Sequence, residues 1–410
     1  MPYIKRKLED RIEKSLSNQR ALFILGARQV GKTTLLKRLI EHVGHDNAVY
    51  FDLENSEHLQ GLTGSIEDVV SYINSYLPKQ KQRVYVFIDE IQYIRDFSSN
   101  IKYLVDHYSA QFKLIMTGSS SLLIKKSFSE SLVGRKDVLE LYPLSFAEYC
   151  LFKGEVRIAE QLDNEPQDSI DGLKVHQLKL NRMLKEYMLY GGYPQVVLSE
   201  SREEKITLLR DIVNSYILKD VKYLFKIEKI DQFNHLIRYL AINIGKELSI
   251  KSIAGEIGLY WDTVQKHILA LQESYIISLI TPYHKNLTTE LRQMPKVYFV
   301  DAGVRNTIIN NFNDIDLRTD RGEQFENYVY NQLFLKKSLL TEIKYWKTRS
   351  GMEIDFVAIN ENIITAYEVK FGSDTKNNFA AFSNAYPDAQ CCTVRYAYKK
   401  KESELPGWGI

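Results

Sequence analysis

Short unbroken apolar runs recur along the first third of the chain, separated by stretches whose apolar positions fall three and four residues apart. The runs Ala21-Leu-Phe-Ile-Leu25, Val84-Tyr-Val-Phe-Ile88 and Phe112-Lys-Leu-Ile-Met116 read as buried parallel strands, and Thr34 to Ile40 has helical spacing. Strands alternating with helices predict an α/β fold around a parallel sheet. Residues 156–172 are acidic, polar and broken by Pro166, and read as an exposed connection. Helical patterns resume over about 175–190 and 202–224. Between Glu247 and Ile280 two amphipathic helices flank Gly258, with Ser252 and Asp262 where caps or first-turn acids are favoured. Thr263, Val264, Ile268 and Leu271 give the second helix its apolar face, and Tyr275 to Ile280 alternates as a strand. A helix over 322–334 follows, then a hairpin with strands 343–348 and 353–359 about the turn 349–352, then a strand over 363–370.

The first strand leads into Gly26-Ala-Arg-Gln-Val-Gly-Lys-Thr33, which satisfies G-x-x-x-x-G-K-[ST] between a strand and a helix. Glycines let backbone N–H groups converge on phosphates, and the helix N-terminus adds partial positive charge. The expected nucleotide-binding residues are Gly26, Ala27, Arg28, Gln29, Val30, Gly31, Lys32, Thr33 and Thr34, with Lys32 on the β- and γ-phosphates and Thr33 in the Mg²⁺ shell. The second strand ends in Asp89-Glu90. Asp89 can hold Mg²⁺ with Thr33, and Glu90 can polarise a water for attack on the γ-phosphate, so ATP hydrolysis is expected.

These motifs, with Thr117-Gly-Ser-Ser-Ser121, Val133-Gly-Arg135 and Leu141-Tyr-Pro-Leu-Ser-Phe-Ala-Glu-Tyr149, resemble a group of bacterial and archaeal AAA+ ATPases. Members of that group carry an uncharacterised C-terminal domain of nuclease-like fold. The resemblance implies that residues 112–120 form the sensor strand and that Arg135 is a γ-phosphate arginine, acting in cis or on a neighbouring subunit. Gly191-Gly-Tyr-Pro194 resembles the lid motif of STAND-type ATPases, in which backbone near Pro194 would pack on adenine.

At 410 residues the chain has room for two to four domains. The expected divisions are an ATPase core over 1–155, a helical lid over 173–230, a winged helix-turn-helix over 231–300 and a nuclease-like domain over 301–410. Net charge is +2, so nucleic-acid contact must be local, with Gln265 and Lys266 on the second helix as the available DNA contacts. No apolar stretch reaches about 18 residues, and the basic start lacks an apolar core. A cytoplasmic protein without membrane contact is therefore expected. Three cysteines and eight scattered histidines build neither a disulfide framework nor a zinc motif.

Period-2 alternation puts Glu353 with Asp355, and Glu368 with Lys370, on common strand faces. If the strands are neighbours, the acids can hold one or two Mg²⁺ or Mn²⁺ ions while Lys370 activates water. The arrangement resembles the PD-(D/E)xK nuclease core, with Glu326, or Glu323 one turn away, as the helix carboxylate, Asp355 central and Glu368-x-Lys370 closing the motif. Ile354 stands where that pattern has proline. The expected protein binds ATP or ADP and couples nucleotide state to a DNA-binding, nuclease-like C-terminal region. The alternatives are a signalling ATPase whose inert nuclease-like domain binds protein, and a nucleotide-dependent DNA-binding regulator.

Overall fold

A computed structural model describes residues 3–77, 83–94, 98–119, 132–163, 172–222, 225–284, 294–372, 378–396 and 404–410. The chain divides into two compact units, one running to Tyr142 with the short segment Glu273–Tyr275 added, the other comprising Pro143–Gln272 and Ile276–Ile410.

The first unit contains α1 (Glu9–Leu16), β1 (Ala21–Leu25), α2 (Lys32–Val43), β2 (Ala48–Asp52), α3 (Ser56–Gly61), α4 (Ile66–Ser75), β3 (Val84–Asp89), α5 (Ser98–Tyr108), β4 (Phe112–Gly118) and β5 (Lys136–Glu140). Its five strands are all parallel, in the order β2-β3-β4-β1-β5. The expected α/β core is observed. β1 and β4 lie at the sheet's interior and every residue in them is buried, which is why both read as continuous apolar runs rather than alternating ones. Register Leu25↔Gly118 and Ile88↔Met116 brings the C-terminal ends of β1, β3 and β4 to one edge, where ligands bind in open parallel sheets.

The second unit opens with α6 (Phe146–Phe152) and α7 (Val156–Asp163), followed by α8 (Gln177–Tyr190), α9 (Pro194–Leu198) and α10 (Arg202–Ile212), which continues as a π-helical segment Val213–Val221. Residues 156–163 are thus not an exposed connection but a helix with Ile158, Ala159 and Leu162 buried. Three apolar residues on one face were enough to dock it despite its polar composition. The remainder of that stretch, including Pro166, lies outside the described residues, as do Ser120 and Ser121.

Next come α11 (Ile230–Ile242), α12 (Ile250–Ile257) and α13 (Trp261–Glu273), then the antiparallel pair β6 (Ile277–Ile280) and β7 (Lys296–Phe299). Gly258 closes α12 in the left-handed region at φ 73°, but the N-cap is Ser249, whose hydroxyl accepts from Ser252 N–H, rather than Ser252 itself. Of the expected apolar face of α13, Val264, Ile268 and Leu271 are buried and Thr263 is only partly so.

The chain then forms α14 (Ala302–Ile308), α15 (Arg321–Lys336), β8 (Thr341–Lys347), β9 (Glu353–Asn360), β10 (Ile363–Lys370), α16 (Phe379–Ala385), β11 (Gln390–Arg395) and β12 (Glu404–Pro406). β12-β11-β10-β9-β8 is one mixed sheet, antiparallel through β8-β9-β10 and parallel from β10 to β12. Phe325, Tyr328 and Val329 of α15 share a core with Phe146 and Tyr149 of α6 and Tyr187 of α8. Trp346, Ile354 and Phe382 form a smaller cluster with α16. Among the described residues no helix is long and apolar enough to cross a membrane.

Candidate functional site: a nucleotide loop and a separate acidic cluster

The phosphate loop begins where β1 ends. Gly26 N–H bonds the Gly118 carbonyl at 3.2 Å, and a Cβ at Gly26 would lie 2.1 Å from the Leu141 carbonyl oxygen, so only glycine fits. Gly31 caps α2 at φ 102°, and Gln29 also takes a positive φ of 62°, so the loop curls back on itself in conformations that free its amides. Lys32 is buried and donates to the Gly26 and Ala27 carbonyls at 3.0 and 2.9 Å. Burial pulls its pKa down, while Glu90 and Asp89 push it up.

Thr33 Oγ1 lies 2.7 Å from Asp89 Oδ2, joining the start of α2 to the end of β3. Asp89 also accepts from Tyr50 at 3.0 Å and from Thr117. The Glu90 amide donates back to Thr117 Oγ1 at 3.0 Å. Glu90 itself sits in the left-handed region at φ 57°, an uncommon conformation for glutamate, and its carboxylate accepts from Gln92. Gln92 Nε2 reaches Ser119 Oγ at 2.9 Å as well. Thr33, Asp89, Glu90 and Thr117 are therefore one hydrogen-bonded group, and Lys32 lies within electrostatic reach of both carboxylates.

Sequence reasoning missed three members of this neighbourhood. Arg6 is buried and donates to the Val30 carbonyl at 3.0 Å and the Tyr142 carbonyl at 2.9 Å, bracing the loop from the segment before α1. Tyr50 and Gln92 hold the two carboxylates. Tyr50 stands on β2 and Arg6 lies far upstream, so no local spacing marks them, whereas Gln92 two residues after Glu90 was readable.

Arg135 is not brought to the phosphate loop of its own chain. Its carbonyl accepts from Ala21 N–H at 2.9 Å at the start of β1, and Gly26 follows the other end of that strand. Four steps of strand separate Ala21 from Leu25, roughly 13 Å. The Arg135 guanidinium pairs with Asp106 at 2.5 Å.

Pro194 opens α9 in the second unit. Before it, Gly191 has φ 75°, and a Cβ there would lie 2.2 Å from Asp301 Oδ1. Asp301 accepts from Gly192 N–H at 2.7 Å and from Val304 N–H at 2.9 Å, so one buried carboxylate holds the turn before α9 and caps α14. Burial raises its pKa to about 6, against the lowering effect of the backbone donors. Gln265 and Lys266 are exposed on α13, behind exposed Tyr260 and Trp261.

In the C-terminal sheet β9 and β10 are neighbours, as the expected site requires. Asp355 Oδ2 accepts from Val369 N–H at 2.7 Å, and Glu368 Oε1 accepts from Asn378 N–H at 2.9 Å. Lys370 Nζ lies 2.7 Å from Glu368 Oε2. Glu326 projects from α15 to accept from Tyr298 OH at 2.6 Å and stands 3.7 Å from Lys296 Nζ. Burial, then the charge of Glu326, raises the Asp355 pKa well above the usual carboxylate range. Glu323, one turn earlier on α15, makes none of these hydrogen bonds or ion pairs, though its charge helps to raise the Glu326 pKa. No three His, Cys, Asp or Glu side chains among the described residues are grouped to hold a metal ion, and these acids pair instead with lysines, Tyr298 and backbone N–H groups.

Residues 18–150 match the family model described as AAA domain, residues 181–315 match a domain of unknown function (DUF8612), and residues 321–406 match another (DUF4143). The first unit therefore holds an AAA-type P-loop domain. The chain is 24% identical over 392 residues to an uncharacterized protein of Methanocaldococcus jannaschii, covering 93% of this chain and 82% of that one. An uncharacterized protein of Haemophilus influenzae is 23% identical over 358 residues, 85% of this chain and 82% of its own. Among solved structures, the Thermotoga maritima RuvB Holliday junction branch migration motor aligns with 71% of this chain and 95% of its own, at 15% identity and a TM-score of 0.34. A likeness that faint has no bearing on what this chain binds.

Proposed function

We propose that this chain hydrolyses ATP in its AAA domain, and that the nucleotide it carries governs what its C-terminal region binds. The 2.7 Å contact between Thr33 Oγ1 and Asp89 Oδ2, beside a second carboxylate at Glu90, is the observation that carries the reading. A hydroxyl and a carboxylate oxygen are the hard donors that Mg²⁺ prefers, so this pair fits the ion. Bound there, Mg²⁺ would neutralise charge on the phosphate oxygens. The loop amides of residues 26–34 would cradle the phosphates, and the Lys32 ammonium would turn from loop carbonyls to the β- and γ-oxygens. Glu90 would orient the attacking water, with Thr117 and Gln92 fixing its position. Arg135, remote from its own loop, suits the γ-phosphate of a neighbouring copy, and the Gly191–Pro194 turn is the candidate adenine-side lid.

Phosphate release by the purified chain tests this. Lys32→Ala should lose ATP binding, while Glu90→Gln should keep binding and lose hydrolysis by about 10²-fold or more. Hydrolysis by Glu90→Gln at the wild-type rate would overturn the assignment.

For the C-terminal region, α11–α13 with β6 and β7 have the order of a winged helix, and DNA contact through Gln265 and Lys266 belongs to this proposal. Metal-dependent cleavage through Glu326, Asp355, Glu368 and Lys370 is the sharper form of it. The pairing of these acids with lysines and backbone N–H groups favours a domain that binds without cutting. A panel of single- and double-stranded DNA and RNA with Mg²⁺ or Mn²⁺ decides between the two: cleavage abolished in Asp355→Asn would establish a nuclease, and none is expected.

A further inference from the structure

The acids of the C-terminal sheet are served by a cation that the nuclease-like motif does not contain. Lys296 enters from β7, outside that sheet, and its ammonium donates to Glu353 while standing 3.7 Å from Glu326. The ring of Tyr345 lies below it, 5.2 Å to the centroid. Only 3% of the Lys296 side chain is exposed, so its charge has almost no help from water and depends on these partners. Burial alone would depress its pKa, yet Glu326, Glu353 and Asp355 outweigh burial and raise it above the ordinary lysine value.

The surroundings are closed on this lysine. Lys347 pairs with Glu247 at 2.6 Å and with Glu353 at 3.4 Å, so the outer acid of the cluster is shared between two ammonium groups. Gly245, whose N–H bonds the Val297 carbonyl at 2.9 Å, covers the helix side, where an added Cβ would lie 3.1 Å from Glu326 Oε1. A divalent ion needs several oxygens converging at 2.0–2.6 Å about one point. Here Glu326 is turned to Tyr298 and Lys296, Glu353 to Lys296 and Lys347, Asp355 to the Val369 amide, and Glu368 to Lys370 and the Asn378 amide.

We infer that Lys296 is the resident counter-ion of this acidic site and excludes a divalent metal from it, so that the C-terminal domain is metal-free in its native state. The lysine comes from the strand before α14, so the same charge cluster fastens β7 to the mixed sheet. This rests on the reading of the domain as one that binds without cutting, and adds the residue responsible.

Mn²⁺ binding to the nucleotide-free full chain, followed by the electron paramagnetic resonance of free Mn²⁺, tests it. Wild type and Asp355→Asn should bind Mn²⁺ equally, because the C-terminal site contributes nothing. Lys296→Met, which keeps the stem and removes the charge, should gain one site roughly tenfold or more above wild-type affinity, and Lys296→Met/Asp355→Asn should lose it again. Lys296→Arg should gain none. A wild-type Mn²⁺ site absent from Asp355→Asn would overturn the inference, whether or not Lys296→Met folds. So would a Lys296→Met that unfolds cooperatively like wild type in denaturant, with the wild-type circular dichroism spectrum, and gains no Mn²⁺. Mn²⁺ bound by wild type at a site lost in Asp355→Asn, without nucleic-acid cleavage, would sink the lysine's role alone, whereas cleavage lost in Asp355→Asn would sink the non-cutting reading as well.

Discussion

Thr117 uses one hydroxyl to serve two neighbours, donating to the Asp89 carboxylate and accepting from the Glu90 amide at 3.0 Å. It is fully buried, so no water can replace it when it is removed. Thr117→Val keeps the shape and leaves a buried N–H and a carboxylate each short of a partner. In the proposed function Asp89 and Glu90 would act on Mg²⁺ and water rather than on the base, so the loss should belong to the rate. A hydrogen bond to a charged group is worth about 1.5–3 kcal/mol, so kcat should fall roughly 10- to 100-fold while the affinity for ADP stays near wild type. Steady-state kinetics beside ADP titration checks the split. A fall in ADP affinity as large as the fall in kcat would instead mean that Thr117 supports the loop's fold.

Between elements, the most telling joint is Asp301, which caps α14 and holds the Gly191–Gly192 turn ahead of α9. Its carboxyl titrates at about 6 in the fold against 3.8 as a free side chain. A raised carboxyl pKa means that the fold favours the protonated form, so the stabilisation is whole below pH 3.8 and is lost as pH rises through 6. The difference corresponds to something on the order of 3 kcal/mol. Asp301→Asn cannot titrate and leaves part of its set of backbone donors, Gly192, Val304 and Gly303, without an acceptor, so it should be less stable throughout. Wild type's advantage over it, measured by denaturant unfolding, should be larger at pH 4 than at pH 7. A gap that is constant across that range would remove the titration from the account. Elements of this unit differed in how far the sequence disclosed them. The helix ending at Lys336 and the hairpin of β8 and β9 were readable because their periods are long and their turn is local. α7 was hidden because only Ile158, Ala159 and Leu162 carry its docking face amid charged neighbours. The phosphate loop was legible because strand, glycines and helix are contiguous, but Arg6, Tyr50 and Lys296 act across folds of the chain that no spacing records.

At the scale of the whole molecule, the proposed ATP site within one chain has a candidate base, a candidate metal pair and a candidate phosphate-binding lysine, but its candidate γ-phosphate arginine stands at the opposite end of β1. Under the proposed function a cation there would serve a nucleotide held by another copy, in the manner of an arginine supplied in trans, which is worth 10³–10⁵ in rate in the best-known cases. The Asp106 partner is half-exposed, so the 2.5 Å pair is a weak tether that a phosphate can displace. Two inactive variants should then repair each other. Arg135→Ala keeps an intact nucleotide loop and lacks the arginine, while Lys32→Ala keeps the arginine and lacks the loop's cation. Mixed at equal concentration, they should hydrolyse ATP faster than the sum of the two alone, and wild-type activity per chain should rise with protein concentration. Activity of the mixture equal to the sum, with wild-type activity independent of concentration, would confine hydrolysis to single chains and leave Arg135 as the structural partner of Asp106.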